Sequence, residues 1–65
     1  MADADLDAAR REFADLTGLF EDAALIAPEG QCVESLDDGR RRFKRLSTAM
    51  HRIRRRLAIL EEHLQ

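Results

Sequence analysis

The stretch that decides the fold is "LDDGRRRFKRLSTAMHRIRRRLAILEEHL", residues 36–64. Its apolar residues recur at alternating intervals of three and four, the heptad spacing of a helix that packs on other helices. If Leu36 takes heptad position a, the same position holds Phe43, Met50, Leu57 and Leu64, and position d holds Gly39, Leu46, Ile53 and Leu60. The spacing predicts one continuous helix over residues 36–64, with Ser35 as its N-cap.

The first half of the chain repeats this pattern. Position a holds Leu6, Phe13, Phe20 and Ala27, and position d holds Ala9, Leu16 and Ala23. We predict a helix over residues 4–27, which Pro28 should stop because proline lacks a backbone donor. Residues 28–35 then form a loop in which Gly30 would permit the chain to reverse.

A connection this short favours antiparallel neighbours, so the predicted fold is all-α, a single antiparallel two-helix hairpin over residues 1–65. The predicted helices are unequal, and the second should overhang the first by about five residues. Leu57, Ile59, Leu60 and Leu64 would then form an extra contact patch for a second copy or a client protein.

A chain of 65 residues with one cysteine has no internal disulfide, and so small a domain usually gains stability from a partner. A two-helix hairpin also leaves one side of each apolar residue wet, so we expect it to dimerise into a four-helix bundle of coiled-coil type. The expected interface residues are Leu6, Phe13, Leu16, Phe20, Phe43, Leu46, Met50, Ile53, Leu57, Ile59, Leu60 and Leu64. Docking of the same residues on a larger client protein, in a regulatory or chaperone-like role, is the alternative.

Charge is divided unevenly along the chain. Residues 1–29 hold eight acidic residues and two arginines, a net charge of −6, whereas residues 30–65 hold nine basic and five acidic residues, a net charge of +4. The basic residues that heptad numbering places on the outer side of the second helix are Arg41, Lys44, Arg45, Arg52 and Arg55. They predict either a solvated face that specifies the neighbouring helix or a surface for the RNA or DNA backbone. The first is favoured, because the whole chain is acidic and no Trp or Tyr is present to stack on bases.

No catalytic, metal-binding or cofactor-binding residues are predicted. His51 and His63 have no second ligand three or four residues away, and Cys32 stands alone, with an undecided role. We expect a non-enzymatic protein without a small-molecule substrate; an accessory subunit of a larger enzyme is a weaker alternative. The chain has no apolar run of about 18 residues and begins with an acidic segment, so a cytoplasmic protein is expected.

The chain resembles the small Rop-type RNA-binding hairpins in its length and its two heptad helices. Cys32, Glu34, Ser35, Leu36 and Asp38 are similar to the opening of that family's second helix. The resemblance implies a dimeric four-helix bundle and a regulator that binds RNA. The first helix is acidic here, unlike the polar face with which that family contacts RNA, so no residue roles are transferred.

Overall fold

Two long helices form the fold of residues 2–65. The computed structural model describes the backbone of residues 2–65 and the side chains of residues 5–65. Helix α1 spans Ala2–Gly30, helix α2 spans Leu36–Leu64, and the two pack against each other as an antiparallel hairpin. The hairpin measures 53 Å along its longest axis. The all-α hairpin predicted from the heptad spacing is confirmed.

Helix α2 covers the residues that the heptad spacing indicates, and its first turn explains why it starts where it does. Ser35 has extended backbone angles, and its Oγ accepts a hydrogen bond from the Asp38 amide at 3.1 Å. This bond satisfies one of the amides that have no partner within the helix. Asp37 and Asp38 in the first turn add negative charge at the positive end of the helix dipole.

The predicted end of the first helix was wrong. Pro28 lies inside α1, which continues to Gly30, so the connection is Gln31–Ser35 rather than residues 28–35. Proline lacks the amide that would bond to the carbonyl four residues earlier, and its ring crowds that carbonyl. Only Glu29 and Gly30 follow Pro28 in the helix, so this disruption is confined to the last turn. The Gln31 amide then bonds to the Pro28 carbonyl at 3.0 Å, which closes the end of the helix. Gly30 has no positive φ angle, so the reversal does not depend on its special conformational freedom.

Because α1 is longer than predicted, the two helices have the same length of 29 residues. The expected overhang of α2 is therefore absent from the described part of the chain. Leu60 is buried inside the hairpin and Ile59 is half-buried, so these two residues do not form a free contact patch. Leu57 and Leu64 stay exposed for a different reason, which lies in the rotation of each helix about its own axis.

The core of the hairpin is one layer of side chains between the helices. Its buried members are Ala9, Leu16, Ala23, Ala49, Ile53 and Leu60, and Leu19, Ile26 and Leu46 pack against them. Apart from Ala49, Leu19 and Ile26, all of these residues occupy heptad position d. Alanines in the d row of α1 allow the bulkier leucines of α2 to fit between the helices at close approach.

Candidate functional site

The two apolar rows of each helix have different environments. The d row and the adjacent g row, which includes Leu19, Ile26 and Ala49, face the neighbouring helix. Around the helix, position d lies between positions g and a. Because each helix contacts the other through its d and g rows, its a row is turned away from the contact. The large side chains of the a row are accordingly all exposed in the structure.

The a rows of both helices lie on the same face of the hairpin. In an antiparallel pair, equivalent positions of the two helices point to the same side, and one ion pair shows this for position c. Arg45 and Glu29, both at position c, meet at 3.0 Å. Asp15, also at c, lies on the same side, where Arg56 of the adjacent g row approaches it at 3.9 Å. Since the c rows share one side, the a rows share the opposite one. We call this surface the apolar face; its large members are Leu6, Phe13, Phe20, Leu36, Phe43, Met50, Leu57 and Leu64.

Ion pairs also fix how the two helices are aligned along their length. Glu29 meets Arg42 at 2.7 Å near the loop, and Glu12 meets Arg56 at 3.3 Å near the other end. This register places Leu6 level with Leu64, Phe13 with Leu57, Phe20 with Met50 and Ala27 with Phe43. The apolar face is therefore a ladder of paired side chains that runs along the hairpin, with Leu36 next to the loop.

The residues predicted to form an interface divide into three groups. Leu16, Ile53 and Leu60 are buried between the helices, where they hold the hairpin together. Leu46 is half-buried beside them, and Ile59 is half-buried on the opposite side from the apolar face. The remaining seven belong to the apolar face: Leu6, Phe13, Phe20, Phe43, Met50, Leu57 and Leu64. Leu36 also occupies position a but was not among the predicted interface residues; at 78% it is the most exposed large apolar residue among side chains 5–65.

The opposite side of the hairpin is charged, and we call it the charged face. A shallow groove there has an apolar floor that includes Leu19, Ile26 and Ala49. Asp22 and Glu29 of α1 form one rim of the groove, while the other rim consists of Lys44, Arg45 and Arg52 of α2. The two helices thus present opposite charges across this groove. Leu25, which is 71% exposed, also lies at the groove and away from the apolar face.

The five basic residues proposed for nucleic-acid contact do not behave alike. Arg41 pairs with Asp38 at 3.6 Å within α2, and Arg45 pairs with Glu29 of α1. Within the described side chains, Lys44, Arg52 and Arg55 have no acidic partner within 4 Å. The heptad positions alone did not predict that Glu29 binds two arginines, Arg42 and Arg45.

The remaining candidates stand apart from one another. Cys32 is a free, exposed thiol in the connection, and His51 is exposed on α2 while His63 is half-buried near its end. Among side chains 5–65, no group of three His, Cys, Asp or Glu residues is placed to hold a metal ion. Neither described helix combines the length and the apolar character needed to cross a bilayer.

Comparisons of the chain with protein-family models, with curated proteins and with solved structures find no match.

Proposed function

We propose that this chain is an interaction protein that works by burying its apolar face, and that two copies assemble through it into a four-helix bundle. One observation carries the proposal. Of the nine large apolar side chains that are exposed in the described part of the chain, eight lie on the apolar face and only Leu25 lies elsewhere. Single exposed apolar residues are common on protein surfaces, but a contiguous patch of this kind marks an interaction site.

The small core supports the same proposal. Three of the six buried side chains are alanines, which leaves Leu16, Ile53 and Leu60 as the only large side chains buried among the described residues. A domain of this size is marginal even with a full core, because it buries a low fraction of its surface. Burying a leucine or phenylalanine contributes about 1.5–3 kcal/mol, so a partner on the apolar face would supply the greater part of the missing stability.

The dimensions of the face suit a second hairpin. Between its outermost Cα atoms the hairpin measures 53 Å by 15 Å in its two longest directions. A face of that size offers roughly 800 Å², the area that each partner contributes to a standard protein interface. A second copy presents the same ladder of apolar side chains, and two hairpins packed face to face enclose all of these side chains in the middle of a four-helix bundle.

The test is the mass of the protein in solution, with two matched variants. The wild-type chain should have the mass of a dimer. Phe20→Lys places a charge in the middle of the apolar face and should abolish the dimer, whereas Leu25→Lys makes the same change in charge on an exposed apolar residue outside the face and should leave it intact. A wild-type chain that is a well-folded monomer would refute the proposed dimer, as would dimers of equal stability from both variants.

Docking on a different protein is the related alternative, and purification from native cells distinguishes it. If the wild-type chain brings down a client and Phe20→Lys does not, while the pure chain shows no self-association, the apolar face serves a client instead of a second copy. A role as an accessory subunit of an enzyme would give the same result with the enzyme as that client.

A second candidate function is binding to the RNA or DNA backbone. The supporting observation is that Lys44, Arg52 and Arg55 lack acidic partners in the described part of the chain and lie outside the apolar face, so a dimer would leave them accessible. The groove beside them weakens this candidate, because Asp22 and Glu29 on its other rim would repel phosphates. Titration with RNA and DNA at two salt concentrations tests it: binding should weaken steeply with salt, and no binding at low salt would eliminate it.

A further inference from the structure

We infer that the two copies are related by a two-fold axis parallel to the helices, so that both loops lie at the same end and α1 of each copy packs on α2 of the other. This inference rests on the proposed dimer and adds its orientation. Two hairpins that meet through their apolar faces with two-fold symmetry have two choices. The axis in the interface either runs along the helices or crosses them at right angles.

The two choices differ in which helices become neighbours. An axis along the helices places α1 against the partner's α2, with neighbouring helices antiparallel and both Gln31–Ser35 connections at one end. An axis across the helices places α1 against the partner's α1 and α2 against the partner's α2, with the connections at opposite ends.

The charges of the helices separate these choices. Helix α1 contains eight acidic residues and two arginines, a net charge of −6, and α2 contains nine basic and four acidic residues, a net charge of +5. Neighbouring helices in a bundle lie 8–10 Å apart, which is about one Debye length at physiological salt. Charges at this spacing are only partly screened. If like helices were neighbours, a helix of net charge +5 would lie beside another of +5, and one of −6 beside another of −6. Pairing α1 with the partner's α2 brings opposite net charges together instead.

Two residues at the edge of the apolar face also favour a two-fold axis along the helices. Arg10 of α1 and Glu61 of α2 both occupy position e, which borders the a row. The register within the hairpin puts Arg10 and Glu61 at the same height, so an axis along the helices brings Arg10 level with the partner's Glu61.

The native thiol of Cys32 provides the measurement, because it lies in the connection and is exposed. A nitroxide label on Cys32 gives the distance between the two loops by pulsed electron spin resonance on the intact dimer. The expected distance is roughly 10–20 Å, one or two helix spacings, for loops at one end. Loops at opposite ends would instead lie about as far apart as the 53 Å length of the hairpin.

A mixed dimer supplies the reciprocal control. The second chain carries Cys32→Ser and Glu62→Cys, which moves the label to an exposed site at the other end of α2. This chain is then mixed with the wild-type chain. If both loops lie at one end of the mixed dimer, the labels on Cys32 and position 62 should be far apart. A short distance in the mixed dimer, with a long one between two copies of Cys32, overturns the orientation while the dimer itself stands. A monomeric mass for the labelled chain would instead refute the proposed dimer.

Discussion

The Arg56 guanidinium lies 3.3 Å from the Glu12 carboxylate, across the interface between α2 and α1. The Glu12 side chain is only 13% exposed, and Arg56 also reaches Asp15 at 3.9 Å. The pair joins residues 44 positions apart in the chain, at the end of the hairpin away from the loop. It therefore reports directly on whether the two helices are correctly aligned.

We predict that Arg56→Gln lowers the free energy of unfolding by about 1 kcal/mol, because it leaves the largely buried Glu12 without its ion pair. Arg55→Gln is the matched control, since Arg55 has no acidic partner among the described side chains and should change the stability by less than about 0.5 kcal/mol. Urea unfolding followed by circular dichroism measures both. Equal effects of the two substitutions would show that the pair does not contribute to the alignment.

Truncation of the two isoleucines of α2 should give unequal losses of stability. Ile53 is 2% exposed in the core, whereas Ile59 is half-buried on the side of the charged face. Ile53→Ala should cost about 2–4 kcal/mol, since it removes a large buried side chain and leaves a cavity. Ile59→Ala should cost about 1 kcal/mol because fewer atoms around it lose contacts. A larger effect at Ile59 would mean that the helices are rotated differently from the structure.

Removal of the Ser35 hydroxyl should destabilise the start of α2. Ser35→Ala deletes the acceptor of the Asp38 amide and should cost about 1 kcal/mol. Thr48→Ala is the control: the Thr48 hydroxyl bonds to the Lys44 carbonyl on an exposed part of α2, and alanine has the higher helix propensity there. Thermal unfolding should show a lower midpoint for Ser35→Ala and an unchanged or higher midpoint for Thr48→Ala. The reverse order would contradict the assignment of the cap.

Substitution of Gly18 by alanine should stabilise the chain. Gly18 lies in the interior of α1, and an added Cβ would meet no atom within 4 Å. Alanine is favoured over glycine in a helix by about 1 kcal/mol, because it restricts the unfolded chain more. Ala14→Gly, the reciprocal change one turn earlier at another exposed position, should lower the midpoint of thermal unfolding by a similar amount. A loss of stability in Gly18→Ala would indicate that a partner approaches α1 at this point.

The heptad spacing predicted both helices because every third or fourth residue must be apolar for one side of a helix to be buried. It did not reveal which row closes the hairpin and which row faces outward, since rows a and d have identical spacing. The sequence does hold a signal for this choice. The d row of α1 contains Ala9 and Ala23, whereas its a row contains Phe13 and Phe20. Small side chains let helices approach closely, so the row with alanines was the better candidate for the hairpin contact.

The extent of α1 was harder to predict for a local reason. Proline generally destabilises the interior of a helix, but the loss of stability depends on how much of the helix follows it. Here α1 ends two residues later, at Gly30, and the Gln31 amide still bonds to the Pro28 carbonyl. The additional turn, together with the start of α1 at Ala2, gave α1 the length of α2 and removed the expected overhang. Glu29, within that turn, became the partner of Arg42 and Arg45.

The short connection and the double ion pair of Glu29 have a kinetic consequence. Glu29 and Arg42 are 13 positions apart, so the loop that must close before they meet costs little chain entropy. Each contact made near the loop brings the next pair of side chains close together, so the two helices can pack progressively from Glu29 toward Glu12. A topology with its earliest contacts so near in sequence belongs among the fastest-folding proteins. If two chains pair as proposed, that pairing depends on concentration and would then be the slow step.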